Sequence, residues 1–269
     1  MKPPAQELLR LHLSRFIEEI TMKKHIPNLL TCSNLISGCI ATYYAFRGEY
    51  QIAFLLIMLG ATFDFFDGFA ARLLNVASPI GKELDSLADD ITFGFAPAAI
   101  VFSLIQTLLL PANCPANCPV TTWGITPNLP YGAFLIAAFS ALRLAKFNLD
   151  ERQTTTFIGM PTPANALFWG SLSVGMESTG WLTGEPWLAF ALLGGVVASC
   201  WLLVCEIPMF ALKFKSFAVK DNVLRYSFIL CSVILLIWLQ WMGFAVIILL
   251  YIMISVMNNL ITSNMIRNE

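Results

Sequence analysis

The chain has 269 residues, a formal net charge of −1 and a mean hydropathy of +0.71; 57% of it is hydrophobic and only 12% charged. A soluble domain carries about 25% charge, so this density cannot cover a water-exposed surface, and both a soluble globule and a disordered chain are excluded. A pI near 6.1 also excludes a general nucleic-acid binder, which is strongly basic.

Residues 1–26 precede the first long apolar run. Leu9, Leu13, Phe16, Ile17 and Ile20 recur there at helical spacing, while Glu7, Arg10, Ser14 and Glu18 fall mostly on the other side. The pattern predicts an amphipathic helix at the membrane interface. His12 and His25 of this segment have no visible sequence partner and read as surface residues.

Apolar stretches of about 20 residues cross a bilayer core as helices. Eight are expected, at 27–47, 51–74, 83–110, 129–149, 163–182, 186–206, 224–241 and 243–262. Runs such as Phe228–Leu239 lack the period-2 alternation of a barrel strand, so the expected fold is an all-α polytopic membrane bundle. Residues 27–262 are expected to form the membrane domain, after a juxtamembrane segment at 1–26 and before a short cytoplasmic tail at 263–269.

The cations set the orientation. Lys2, Arg10, Arg15, Lys23 and Lys24 precede the first span. Alternate connections then hold Arg72 and Lys82, next Arg143, Lys146 and Arg152, and next Lys213, Lys215, Lys220 and Arg225; Arg267 lies in the tail. The intervening connections are nearly free of cations, with Arg47 the exception. This predicts a multi-pass cell-membrane protein with both termini on the cytoplasmic side.

Five of the seven cysteines, Cys32, Cys39, Cys200, Cys205 and Cys231, sit in apolar spans as small hydrophobes. Cys114 and Cys118 lie in the repeat PANCPANCP on the predicted outer side, either as a disulfide or as two thiols.

The stretch that carries chemistry is 62–97, TFDFFDGFAARLLNVASPIGKELDSLADDITFGFAP, with Asp64, Asp67, Asp85, Asp89 and Asp90 at the ends of two spans. A carboxylate at membrane depth costs roughly 2.5–3.5 kcal/mol on insertion scales. Asp64 and Asp67 are spaced i, i+3 and share one helix face; Asp85 and Asp89, i, i+4, share another. A turn over 75–81, with Ser78, Pro79 and Gly81, brings the two faces together at the cytoplasmic boundary. Four such carboxylates need cations, and hard divalent ions with oxygen ligands, Mg²⁺ or Mn²⁺, suit them. Two ions together clamp an in-line displacement at phosphorus. Gly68 would let a nucleotide approach the backbone, or would serve helix packing. Arg72 would pair with a phosphate oxygen, or anchor the span. Asp90 is about 100° round the helix from Asp89 and reads as a supporting or solvated residue.

These residues resemble the signature of the CDP-alcohol phosphatidyltransferases, D-x-x-D-G-x-x-A-R, eight residues, then G-x-x-x-D-x-x-x-D. It stands complete as Asp64, Asp67, Gly68, Ala71, Arg72, Gly81, Asp85 and Asp89. LDSLADDITFGFAPA (84–98), PNLLTCSNLISG (27–38), ALRLAKFN (141–148) and FIGMPTPANA (157–166) are similar to the branch of that family that makes phosphatidylserine. The resemblance implies that Asp64, Asp67, Asp85 and Asp89 ligate two metal ions, that Asp89 is also the base, and that Asn28, Thr31, Gly68, Arg72 and Ser78 hold the CDP moiety. It implies CDP-diacylglycerol and L-serine as substrates, contact with membrane lipids, and a homodimer. Arg143 and Lys146 would bind the acceptor carboxylate, or anchor span four. Lys146 stands where the branch usually has Arg, which removes a bidentate contact.

Three rivals remain open at the level of sequence. The same chemistry could use glycerol 3-phosphate or an inositol as acceptor, since Arg143, Lys146 and Arg152 would suit a phosphate. An intramembrane prenyltransferase also uses two Asp-rich motifs, but far apart in its chain. A divalent-cation transporter would place acids in helices nearer the bilayer midplane.

Overall fold

The computed structural model describes residues 5–76, 78–109, 128–150, 157–182, 186–209 and 222–267, with backbone alone at 5–24, 157, 224 and 260–267. Cys114 and Cys118, and the cations Lys2, Arg152, Lys213, Lys215 and Lys220, lie outside the described residues.

Among the described residues nine α-helices follow one another: α1 Ala5–Phe46, α2 Tyr50–Leu74, α3 Pro79–Asp89, α4 Ala96–Leu109, α5 Leu135–Leu149, α6 Thr162–Ser178, α7 Pro186–Val204, α8 Val223–Leu239 and α9 Trp241–Arg267. A π-helical segment, Asp90–Phe95, joins α3 to α4, and a 3₁₀ turn, Leu129–Phe134, leads into α5. The protein is an all-α polytopic membrane bundle. Each expected span coincides with helical structure. Among the described residues six stretches are long and apolar enough to cross a membrane: His25–Phe46, Tyr50–Leu74, Pro79–Leu109, Leu129–Leu149, Pro186–Val204 and Trp241–Asn259. Helices α6 and α8 have 17 residues each, the short end of the spanning range of about 17–25.

Two boundaries differ from the sequence reading. The N-terminal segment is not a separate helix: α1 runs unbroken for 42 residues through Pro27 into the first span. The third span starts at Pro79 rather than at 83, because Ser78 caps the helix and Pro79 occupies its first turn. The turn is correspondingly short. It opens at Asn75, whose left-handed backbone (φ 52°) ends α2, with the Val76 N–H on the Ala71 carbonyl.

The span from α3 through α4 is the centre of the bundle, 72% buried against 22–39% for the other five spans. Eleven of the fourteen residues of α4 are buried, among them Ala96, Ala98 and Ala99. Small residues let neighbouring backbones come close, which is how helices associate without a hydrophobic drive between them. Helices α1, α6 and α7 pack around α4, and α5 packs on the π-helical segment. Phe54 of α2 stacks edge-on to Trp241 and Phe244 of α9 and fills the space over Gly170 of α6, joining three helices.

Near the polar end, β1 (Phe157–Ile158) pairs antiparallel with β2 (Pro208–Met209). Between β1 and α6, Gly159 adopts φ +73°, and a Cβ there would come within 2.9 Å of the Leu203 and Cys205 carbonyl oxygens. Only glycine allows this approach. It lets Gly159 N–H reach Ile207 O and Met160 N–H reach Leu202 O, both at 2.9 Å, and so ties the end of α7 to the start of α6.

Candidate active site

Asp64 and Asp67 project from the last turns of α2, and Asp85 from α3 across the turn. One carboxylate oxygen from each lies within 4.8 Å of the others. At this separation ionised Asp64 and Asp85 repel each other unless a cation or a shared proton lies between them. Asp85 Oδ1 is buried with no hydrogen-bond partner. An all-oxygen, anionic, under-satisfied set of this kind fits a hard divalent ion such as Mg²⁺ or Mn²⁺.

Asp89 is outside the set of three whose oxygens all lie within 4.8 Å of one another. Its Oδ1 accepts a hydrogen bond from Asn34 Nδ2 at 3.1 Å, while its charge still acts on Asp64 and Asp85. The sequence reading placed all four acids at one level; the structure brings three together and ties the fourth to α1. Asp90 opens the π-helical segment, its Oδ1 buried and unpartnered against Gly94 and near Ser140.

All five residues expected around CDP line one cavity of about 260 Å³, together with Asp67 and Asp85: Asn28, Thr31, Gly68, Arg72 and Ser78. A Cβ at Gly68 would meet nothing but the Arg72 guanidinium, at 3.6 Å. Among the described residues no other helix packs on that glycine, which lines the cavity. Thr31 and Ser78 have structural bonds too. Thr31 Oγ1 donates to Asp67 Oδ2 at 2.6 Å, and Ser78 Oγ accepts from the Gly81 N–H at 3.1 Å.

Two site residues escaped the sequence reading. Asn34 orients Asp89, and Thr92 supports Asn34 by donating to its carbonyl at 3.0 Å. Thr92 fits between α1 and α2 because both have glycine there: a Cβ on Gly38 would approach Thr92 Oγ1 to 2.3 Å, and one on Gly60 would approach Thr92 Cγ2 to 2.5 Å. A signal did exist. Asn28, Thr31 and Asn34 recur every three residues on one face of an otherwise apolar helix.

Arg143 and Lys146 are not at the acidic trio. They line a second cavity of about 370 Å³ between the C-terminal ends of α5 and α7. Arg143 is buried, donates to Thr162 Oγ1 at 3.2 Å, and acts electrostatically on Asp89. Lys82 Nζ on Asn148 O (3.1 Å) and Asn148 Nδ2 on Ser86 Oγ (2.8 Å) tie this end of α5 to α3.

The sequence model of the CDP-alcohol phosphatidyltransferases matches residues 24–203, which takes in the acids, both cavities' α1–α5 residues and most of α7. The chain belongs to this family. It is similar to curated members. It is 39% identical over 139 residues to the CDP-diacylglycerol–serine O-phosphatidyltransferase of Bacillus subtilis (strain 168), covering 52% of this chain and 70% of that protein. It is 31% identical over 196 residues to the protein of that name from Mycobacterium tuberculosis (strain H37Rv), covering 68% of this chain and 60% of that one. The Saccharomyces cerevisiae (strain S288c) protein of that name is 44% identical over 87 residues, 30% of this chain and 32% of the relative. The chain therefore spans less than two thirds of the mycobacterial and yeast relatives.

Proposed function

We propose that the protein transfers the phosphatidyl group of CDP-diacylglycerol to the hydroxyl of L-serine, giving phosphatidylserine and CMP. The observation that carries the chemistry is the meeting of Asp64, Asp67 and Asp85 within 4.8 Å beside a cavity lined by Asn28, Thr31, Gly68, Arg72 and Ser78. The names of the similar proteins support serine as the acceptor.

In this reading Asp64, Asp67, Asp85 and Asp89 hold two divalent ions. When bound, Mg²⁺ or Mn²⁺ supplies Lewis-acid neutralisation of the diphosphate and of the departing CMP. Arg72 pairs with a phosphate oxygen, and Gly68 gives the nucleotide access to the backbone. Asp89, oriented by Asn34, takes the proton from the serine hydroxyl as its oxygen attacks the phosphorus of the phosphatidyl group and the bond to CMP breaks. Arg143 and Lys146 receive the acceptor carboxylate. The distribution of Lys and Arg supports placing the site and both termini on the cytoplasmic side. The exposed apolar side chains of α2 beside the acids, Phe65, Phe66 and Phe69, give the acyl chains a surface to lie on.

A second reading keeps the chemistry and changes the acceptor to glycerol 3-phosphate or an inositol; the cations Arg143 and Lys146 favour it. The test is CMP release from CDP-diacylglycerol by the purified full-length protein with Mg²⁺ or Mn²⁺, one acceptor at a time. Release that requires both metal and L-serine, with phosphatidylserine formed in step, is the expected result. Release with another acceptor alone moves the assignment to the second reading. No release with any acceptor overturns the transferase reading.

A further inference from the structure

The cavity between α5 and α7 is lined by charges of both signs. On the α5 side stand Arg143 and, one turn later, Lys146; on the α7 side stands Glu206, just past the helix end, with Asp150 also lining the cavity. Arg143 is only 8% exposed. Its guanidinium lies over the Phe147 ring at 5.8 Å and uses one Nη1 proton on Thr162, while its Nε is buried and has no hydrogen-bond partner. Arg143 thus brings a buried, always-charged guanidinium to the wall of the cavity, and such a group is stabilised by an anion beside it. Lys146 and Glu206 are exposed, and neither makes an ion pair among the described residues.

Glu206 is held in place rather than left loose. Residues 207–209 are fixed by the Gly159 N–H on the Ile207 carbonyl and by the pairing of β1 with β2, and Met160 N–H holds the Leu202 carbonyl on the other side. The cavity thus has a cationic wall and an anionic wall, which is the complement of a small zwitterion. A phosphorylated acceptor would carry two negative charges up to Glu206, and a neutral polyol would offer Glu206 no cation.

We propose that Glu206 is the specificity-determining residue of this cavity: it binds the ammonium of an amino-acid acceptor whose carboxylate rests on Arg143 and Lys146. The cavity thereby selects a hydroxyl-bearing amino acid over acceptors that lack the amine. The proposal rests on the reading that the acceptor is serine and adds the group that recognises its amine.

The test compares the full-length wild type with Glu206→Gln and Glu206→Asp in CMP-release kinetics, using L-serine and glycerate as acceptors. Glycerate keeps a hydroxyl and the carboxylate and has no ammonium. Losing one charged hydrogen-bond partner should raise the KM for L-serine about tenfold or more in Glu206→Gln. The kcat and the KM for CDP-diacylglycerol should stay near wild type, the preference for serine over glycerate should fall, and Glu206→Asp should recover part of the serine affinity. An unchanged serine KM and serine-to-glycerate ratio in Glu206→Gln, with a serine-dependent wild type, overturns the role of Glu206 alone. A wild type that releases CMP with glycerol 3-phosphate and not with serine overturns the acceptor reading and this proposal together. A parallel loss of kcat with both acceptors assigns Glu206 to the framework and overturns the proposal.

Discussion

The helices that carry the acids and the helices at the C-terminal end are comparably apolar in sequence and very different in the folded molecule. The span Pro79–Leu109 is 72% buried, and Trp241–Asn259 in α9 is 22% buried. In the first region Thr92 enters gaps left by Gly38 and Gly60, and Asn34 and Thr31 each hold a carboxylate. In the second, Ile234, Ile237 and Trp238 of α8 are 56–79% exposed. Hydropathy identifies both as membrane helices, and it does not tell which one the bundle is built around. Small residues and neutral polar side chains inside an apolar run do tell, because close approach and internal hydrogen bonds are what hold helices together in lipid.

The sharpest way to break the comparison is to remove charge from the acid region. Asp85→Asn should lower CMP release about a hundredfold or more, since it removes an oxyanion ligand from a trio that needs all three. Asp89→Asn should lose at least about a hundredfold through the base. Chelation by EDTA should abolish turnover, and added Mn²⁺ should restore it in the wild type but only weakly in Asp85→Asn. Turnover near wild type in Asp85→Asn would remove the trio from the chemistry.

Asn34→Leu probes the next layer. It keeps the number and branching of the side-chain heavy atoms, with methyls somewhat larger than the amide oxygen and nitrogen, and deletes the bond to Asp89 Oδ1. Supporting residues around ligands are worth about 10–100-fold, so CMP release should fall by that range while the thermal midpoint barely moves. An equal fall in midpoint and rate would mean that Asn34 holds the fold rather than Asp89.

Gly60→Ala should cost about tenfold, through position alone, in line with what a misplacement far from the chemistry costs. The new methyl meets Thr92 Cγ2 at 2.5 Å and Asn34 Oδ1 at 2.8 Å. Adding Thr92→Ser to Gly60→Ala deletes the first of these clashing atoms, so the double variant should recover part of the rate. Additive losses in the double variant would refute the packing argument.

Much of this layout was legible before folding. Asp64 and Asp67, then Asp85 and Asp89, advertise shared faces by spacing alone, and the apolar runs mark the helices. What spacing could not give is the partner across helices. Asn34 and Asp89 are far apart in sequence, and only the packing of α1 on α3 and the π-helical segment makes them neighbours. The π-helical segment has no sequence signature either. It follows Asp89 directly and shifts the phase of what comes after it, so Asp85 and Asp89 keep their shared α-helical face while Thr92 and α4 are turned from where a continuous α-helix would put them. Glu206 was invisible for a similar reason: nothing in CEIPM distinguishes it until β1 and β2 hold it near Arg143. The continuous α1 hid behind Pro27, which usually marks a helix start.

The smallest expected effect is the most direct check on the opening comparison. Ile100 of α4 is fully buried, and Ile237 of α8 is 77% exposed. Both are isoleucines in apolar helices, so hydropathy assigns them the same weight. Ile100→Ala opens a cavity among packed neighbours and should cost about 2–5 kcal/mol, read as a lower thermal midpoint in detergent. Ile237→Ala leaves no cavity, because lipid or detergent closes over the site, and should stay within about 0.5 kcal/mol with CMP release unchanged. If Ile237→Ala destabilises the protein as much as Ile100→Ala does, α8 is covered by another protein surface in the membrane, and the exposed face of that helix has a partner rather than lipid.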